Sequence, residues 1–424
     1  MELDLDFVRA QFPAFAAEET RDWAFFENAG GSYVPATVSD RLQRFFVDHK
    51  VQPYGAFALS KQAGEEMDES YAAIASLINA AEDEITIGPS TTLNFYVLAQ
   101  SLRHLLRVGD EIVVTNQDHE ANIGCWRRLS EHGIVIREWR VGKADGELDL
   151  NDLDALITDK TRIVCATLCS NIVGTHNDMA EIVEMAHRVG ALVVADGVSY
   201  APHVIPDVKT LGVDFYAYST YKTFGTHQGV LWGSSEALKK TEGQGHFFNE
   251  EKSRYRLNPT GPQHAQIAAL AGITEYFDQL HQHHFGESAL SLHQRARQTF
   301  DLVGEHEAKL ANILLDYLKD REGIRILGRI TLFLANGHQP LRFMPGRCLQ
   351  ITSQNNFPTA KSGWVRATFT HCGVLRHWGW IRQTVSCGSA WFTTTRRLKS
   401  LNWSKRSIRF CRDINFICAI RSWN

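Results

Sequence analysis

The segment Val193-Val-Ala-Asp-Gly-Val-Ser-Tyr-Ala-Pro-His203, followed by Asp214-Phe-Tyr-Ala-Tyr-Ser-Thr-Tyr-Lys222, decides the fold. Leu192–Ala195 is an unbroken apolar run that stops on Asp196, and Phe215–Ser219 is another that stops just before Lys222. Runs of this kind suit strands covered on both faces. Working outward, Ile85–Ile87, Glu111–Thr115, Arg162–Leu168 and Gly229–Trp232 read as further strands. Helices are expected between them at Thr92–Leu106, Asn122–His132 and Asp178–Val189. The last places Met179, Ile182, Val183, Ala186 and Val189 on one face, with Asn177 or Asp178 to cap its start and Gly190 to end it. Strands alternating with helices imply an α/β fold around a mainly parallel sheet. Such sheets bind ligands at the carboxyl ends of their strands. The polar motifs sit there: Ser90-Thr-Thr, Asp118-His, Ser170-Asn, Asp196-Gly and Ser219-Thr-Tyr-Lys. Residues 1–80 read as mainly helical around a loop at Asn28–Ser32, and Gln263 to about Gly323 as helical again.

A chain of 424 residues with 44% hydrophobic and 22% charged residues reads as globular, with room for a large core and a smaller second one. Its apolar runs are too short to span a bilayer, and its acidic start lacks a signal-peptide pattern. The expected location is therefore the cytoplasm, away from membranes. Cys125, Cys165 and Cys169 show no metal-ligand or disulfide spacing and are read as buried small hydrophobes. No Gly-x-Gly-x-x-Gly follows an early strand, which argues against a dinucleotide site.

Each polar motif has an ordinary structural reading when taken singly. A lone lysine is usually a solvated charge, a lone Asp usually caps a turn, and Ser90-Thr-Thr92 can be a plain helix cap. Lys222, however, lies among aromatic and apolar neighbours in a turn that ends at Gly225. Desolvation there lowers its pKa and suits it to attack a carbonyl. Asp196 offers a carboxylate at a neighbouring strand end, and Ser90-Thr-Thr92 offers hydroxyls and helix-start N–H groups to an anion.

Together these segments resemble the class V aminotransferases, fold-type I pyridoxal-phosphate (PLP) enzymes, nearest their cysteine-desulfurase-like branch. Asp118-His-Glu-Ala-Asn122, Ser170-Asn-Ile-Val-Gly-Thr175 and Phe26-Glu-Asn-Ala-Gly-Gly31 carry the same resemblance, over roughly residues 20–329. It implies a large domain with a mainly parallel seven-stranded sheet flanked by helices, and a small C-terminal α/β domain. It also implies PLP as cofactor, an amino acid as substrate and a homodimer. By the same resemblance Lys222 forms the aldimine, Asp196 pairs with the pyridine nitrogen, His119 stacks on the ring and Asn171 contacts the ring's 3-oxygen. Thr91, Thr92 and Ser219 hold the phosphate, and Thr260 reaches the partner's phosphate. Ser199 and Tyr221 stand where the desulfurases usually carry Gln and His; Tyr221 can still donate a hydrogen bond.

The end of the chain departs from this pattern. From Ile330 onward there are fourteen Lys or Arg and one acid, Asp413, together with six of the ten Trp and five of the eight Cys. Regular periodicity ends after Gly328. Shifting the reading frame back by one base lets Asn336–Phe343 read Arg-Ala-Pro-Thr-Val-Ala-Phe. The same shift lets Ala367–His371 read Gly-His-Phe-Tyr-Ala. It lets Trp378–Thr395 read as a segment containing Val-Arg-Ile-Gly-Leu-Val-His-Tyr-Asn-Thr, the family's pattern at this place. A frameshift between about Gly328 and Asn336 is therefore expected, with 330–424 replacing the small domain. The divisions are 1–20 as an N-terminal segment, 21–265 as the PLP-binding domain, 266–329 as a helical link and 330–424 as the out-of-frame tail. Desulfurases carry Cys where the restored loop has Tyr, so desulfurase chemistry gives way to a C–S lyase, an epimerase or an aminotransferase. An inactive product is a further reading. A basic tail that binds nucleic acid ranks last, because its cations follow no regular pattern.

Overall fold

The computed structural model describes residues 1–20, 28–249, 252–259, 261–319 and 326–328. The expected frameshifted tail and Thr260 lie outside the described residues, as do Phe26 and Glu27. Seven strands form one sheet: β1 (Ile85–Gly88), β2 (Glu111–Thr115), β3 (Val135–Trp139), β4 (Thr161–Thr167), β5 (Leu192–Asp196), β6 (Phe215–Ser219) and β7 (Gly229–Gly233). Their order is β1-β7-β6-β5-β4-β2-β3. Only β7 runs against its neighbours, β1 and β6; the pairs from β6 through β5, β4 and β2 to β3 are parallel. This is the α/β architecture around a mainly parallel seven-stranded sheet expected from the sequence.

Helices cover both faces. They are α1 (Leu5–Ala10), α2 (Ala36–Asp48), α3 (Ala58–Leu77), α4 (Thr91–Leu102), α5 (Gly124–Arg127), α6 (Leu150–Leu156), α7 (Met179–Arg188), α8 (Ser235–Lys239), α9 (His264–Ala268), α10 (Ala271–Phe285) and α11 (Leu292–Lys319). Side chains alternate across each strand. Val113, Val164, Val193, Ala195, Tyr216 and Tyr218 therefore enter a core with α3, α7, α9 and α10. Ile112, Ile163, Cys165, Val194, Phe215 and Ala217 enter a second core with α4 and α5. No described helix is long and apolar enough to cross a membrane.

One expected helix differs in form, and two elements were not anticipated. Asn122–His132 is not one helix: a 3₁₀ turn at Glu120–Asn122 precedes α5, and a second 3₁₀ segment follows at Arg128–His132. The first turn forms because Asn122 is held by the Asp118 carboxylate, 2.9 Å away. Edge strand β3 and helix α6 were not anticipated. β3 is half-buried along most of its length, exposed only at Val135, and carries Arg137 and Glu138. The expected α7 is present, with Asp178 capping it and Gly190 beyond it at φ +75°.

The turn that carries Lys222 is anchored by Phe224, which adopts φ +71°. A non-glycine residue there costs roughly 1–2 kcal/mol, so its surroundings must hold it. The Phe224 ring packs edge-on against Phe12, Tyr276 and Phe277, and its N–H donates to Ser32 Oγ at 3.0 Å. Phe224→Ala is expected to lower stability by about 3–5 kcal/mol, read from the denaturation midpoint, and to leave the Lys222 turn less ordered.

Candidate functional site

β1, β2, β4, β5 and β6 deliver their following residues to one edge of the sheet, because all five run the same way. Lys222 lies in a 3₁₀ turn after β6, 9% exposed, and Asp196 is the last residue of β5, 2% exposed. Burial lowers the Lys222 pKa, while the Asp196 charge opposes that fall. The Asp196 carboxyl is pushed up to about 6 by burial, against the amide of Val198 at 2.8 Å and the Lys222 charge. The pair therefore offers a poised amine beside a carboxylate that a cation would readily ionise.

His119 follows β2 as the cap of the 3₁₀ turn, its Nδ1 accepting from Ala121 N at 3.1 Å. Burial first, then the nearby Lys222 charge, lowers its pKa to about 4. The ring is neutral at pH 7, as a stacking surface requires. Asn171 is half-buried in the turn after β4, next to Ser170, whose Oγ accepts from Ile172 and Val173 N, each at 3.2 Å. Ser199 is buried after β5.

A hydroxyl cluster stands at the start of α4. Ser90 caps the helix by accepting from Leu93 N at 3.2 Å. Thr91 Oγ1 and Ser219 Oγ are 2.8 Å apart and buried. Tyr221 hydrogen-bonds to Ser219, and its ring stacks on His227 with centroids 4.4 Å apart. Thr92 is exposed on the first turn of α4. Gly229, at the start of β7, lets this helix end come down onto the sheet. A Cβ there would collide with the backbone of Ser90 and Thr91, and its carbonyl accepts from Asn94 Nδ2 at 2.9 Å. The cluster can hold a phosphate dianion with hydroxyls and helix-start amides.

Sequence reasoning passed over Gly229, Ser32 and Asp118 as site residues. Ser32 donates from Oγ to the Tyr221 carbonyl at 3.2 Å and so clamps the lysine turn. The Asp-His pair was the only available signal for Asp118.

Comparison with known proteins identifies the family and fold of the chain. The family model "Aminotransferase class-V" matches residues 24–332. An aminotransferase-like protein of Gibberella zeae is 38% identical over 332 residues, covering 76% of this chain and 77% of that one. A cysteine desulfurase of Dickeya dadantii is 32% identical, covering 77% and 79%. The crystal structure of an Escherichia coli cysteine desulfurase in its S-sulfonic acid form superposes with a TM-score of 0.65 at 25% identity, covering 78% and 82%.

The Gly229 contact makes the helix start sensitive to one methyl group. Gly229→Ala is expected to cost about 1–3 kcal/mol and to weaken retention of phosphate esters. Gly243→Ala, which meets open space, should change stability by less than about 0.5 kcal/mol. Denaturation midpoints and equilibrium dialysis of a phosphate ester check both.

Proposed function

The chain belongs to the aminotransferase class-V family and is a PLP-dependent, cysteine-desulfurase-like enzyme; from that premise we propose which of its residues hold the cofactor and what it acts on. The observation that carries the reading is the buried Lys222–Asp196 pair beside the Thr91–Ser219 hydroxyl contact. One cofactor can meet all four only if its aldehyde, ring nitrogen and phosphate lie together at this edge. When bound, PLP supplies an electron sink for negative charge on the carbon bearing an amino acid's nitrogen. Lys222 would hold the cofactor covalently, burial lowering its pKa toward the neutral amine that does so. Asp196 holds a proton on the ring nitrogen. The neutral His119 ring covers one ring face, and Asn171 and Ser199 border the ring oxygen. Ser90, Thr91, Thr92, Ser219 and Tyr221 hold the phosphate, with Thr260 of a second copy completing it in a homodimer.

The substrate class is an α-amino acid. The name of the Gibberella zeae relative is aminotransferase-like, and an Aspergillus flavus relative, 31% identical over 336 residues, is named cysteine desulfurase-like. With Tyr in place of the sulfur-accepting Cys in the restored loop, C–S cleavage without persulfide transfer, epimerisation or amino transfer fits better than desulfuration.

A second reading concerns this chain's turnover. The family match stops at residue 332, inside the window from Gly328 to Asn336 where the reading frame is inferred to slip. The slip removes the late Arg expected to bind the substrate carboxylate, so the chain as written holds cofactor without completing catalysis.

Two outcomes are expected. The chain should bind PLP with visible absorbance, and borohydride should fix the cofactor on Lys222, read by peptide mass spectrometry; label on another lysine overturns the assignment. Restoring the reading frame after Gly328 should raise amino-acid turnover from near zero to a measurable rate. Equal turnover of both versions would refute the frameshift.

A further inference from the structure

Asp118 is fully buried, and none of the roles above uses it. It sits where the chain leaves β2, one residue before His119, and its carboxylate receives hydrogen bonds from three directions. Thr115 Oγ1 donates to Oδ2 at 2.6 Å, Thr167 N donates to Oδ2 at 3.1 Å, and Asn122 Nδ2 donates to Oδ1 at 2.9 Å. The direction of the Thr115 bond is fixed, because that hydroxyl oxygen itself accepts from the amides of Gln117 (3.0 Å) and Asp118 (2.8 Å). All three partners are donors, so the cradle is built for an ionised carboxylate.

The same Thr167 ties Asp118 to Asp196. Thr167 lies opposite Asp196 in the β4–β5 register. While its N–H serves Asp118, its hydroxyl donates to the Asp196 carbonyl at 3.2 Å and to the Cys169 carbonyl at 2.7 Å. A residue that served only to shape the turn would need the hydrogen bonds alone. Here a second acid has been set behind the first with no cation of its own.

We propose that Asp118 is a positioning residue that places a second negative charge behind Asp196, so that a cation arriving at Asp196 draws the proton off this carboxylate pair. The proposal rests on the reading of Asp196 as the partner of the cofactor's ring nitrogen. Without that cation the two carboxylates repel, and one O–H proton stays on the pair; with it, that proton passes to water and both groups are ionised. The second charge then strengthens the hold of the site on a protonated ring. Its electrostatics support this: burial first, then the Asp196 charge, raise the Asp118 carboxyl to about 7, while the Thr115, Asn122 and Thr167 donors pull it down. The other titratable groups facing the pair are Cys165, Lys222 and His119, with Tyr216 and Tyr221 beside Asp196. Burial holds the Cys165, Tyr216 and Tyr221 protons on. It also keeps His119 neutral and lowers Lys222.

The test uses the full chain and three proteins: wild type, Asp118→Asn, and Asp118→Asn combined with Asn122→Asp. The double variant keeps a 118–122 hydrogen bond and the net charge but moves the carboxylate from residue 118 to residue 122. Affinity for pyridoxine 5′-phosphate, which lacks the aldehyde and so bypasses Lys222 chemistry, is measured from pH 6 to 8. The ligand's own ionisations cancel in the ratio of wild type to variant. Wild type should gain up to about tenfold over both variants across this range. Parallel curves would mean that Asp118 only shapes the turn, and would overturn the proposal.

Thermal midpoints of the cofactor-free proteins form the second arm. A carboxyl whose pKa is raised in the fold stabilises it below the unfolded value of 3.8. That contribution is lost as pH rises through about 7. The midpoint difference, wild type minus Asp118→Asn, should fall from pH 5 to 8, because His119 and Asp196 contribute to both proteins and leave Asp118 as the change. If no protein binds the phosphate ester, the cofactor reading fails while this arm still decides the coupling. If that midpoint difference does not fall, the proposal fails whatever binds. If Asp118→Asn does not fold, the double variant carries both arms.

Discussion

Three ionisable groups, Lys222, Asp196 and Asp118, are held out of water at one edge of the sheet. Burying an unpaired charge costs several kcal/mol even after relaxation, and much of the local architecture answers that cost. Asp118 has its three donors, and Asp196 has the Val198 amide and the Lys222 charge. The donors come from β2, from β4 and from the turn after β5, so the strand register is what delivers them. A slip of β4 against β5 would remove Thr167 from Asp196 and strip Asp118 of a donor. The parallel sheet is thus both the scaffold of the site and the source of its hydrogen bonds.

The central strands were legible because both of their faces are buried, which makes them continuous apolar runs. Glu111–Thr115 and Phe215–Ser219 were read to their end residues, and the polar motifs follow strand ends that share one edge of the sheet, where the site is proposed. β3 was missed because it lies at the edge of the sheet, with Arg137 and Glu138 in place of an apolar run. α6 was missed because its seven residues, Leu150–Leu156, are too short to show a period. The long helix expected at Asn122–His132 failed for a tertiary reason: the Asp118 carboxylate pins Asn122 into a separate turn. Local pattern cannot report a hydrogen bond whose partner belongs to the preceding strand end. Asp118 escaped notice as a site residue for the same reason, since a lone acid in a turn looks like a cap until Thr167 is placed beside it.

The departure at Tyr221 acquires a physical sense in the structure. Tyr221 does not merely replace a donor. Its backbone carbonyl is clamped by Ser32, whose N–H and Oγ both donate to it, while its side chain joins Ser219 and stacks on His227. The residue before the lysine thus links the loop near Asn28, the hydroxyl cluster and the exposed His227. A change there alters the geometry of three neighbours, which is how selectivity among related reactions can shift while the cofactor-holding residues stay the same.

If the reading frame slips after Gly328 as proposed, cofactor holding and turnover become separable, and the distribution of the core gives the reason. Both faces of the sheet are closed by side chains from Leu3 to Leu310, and α10 packs against α2, α3 and α11 within the same span. The buried pair, the histidine and the hydroxyl cluster are all positioned by residues before Gly233. None of these described contacts draws on sequence beyond residue 332, where the family match ends. A reading-frame slip after Gly328 therefore leaves the forces that assemble the cofactor edge intact. What it removes is sequence that, by family resemblance, would face that edge and fix the substrate carboxylate with an arginine. Since catalysis depends on orienting the substrate as well as on holding the cofactor, a chain built this way keeps the first half of the site without the second.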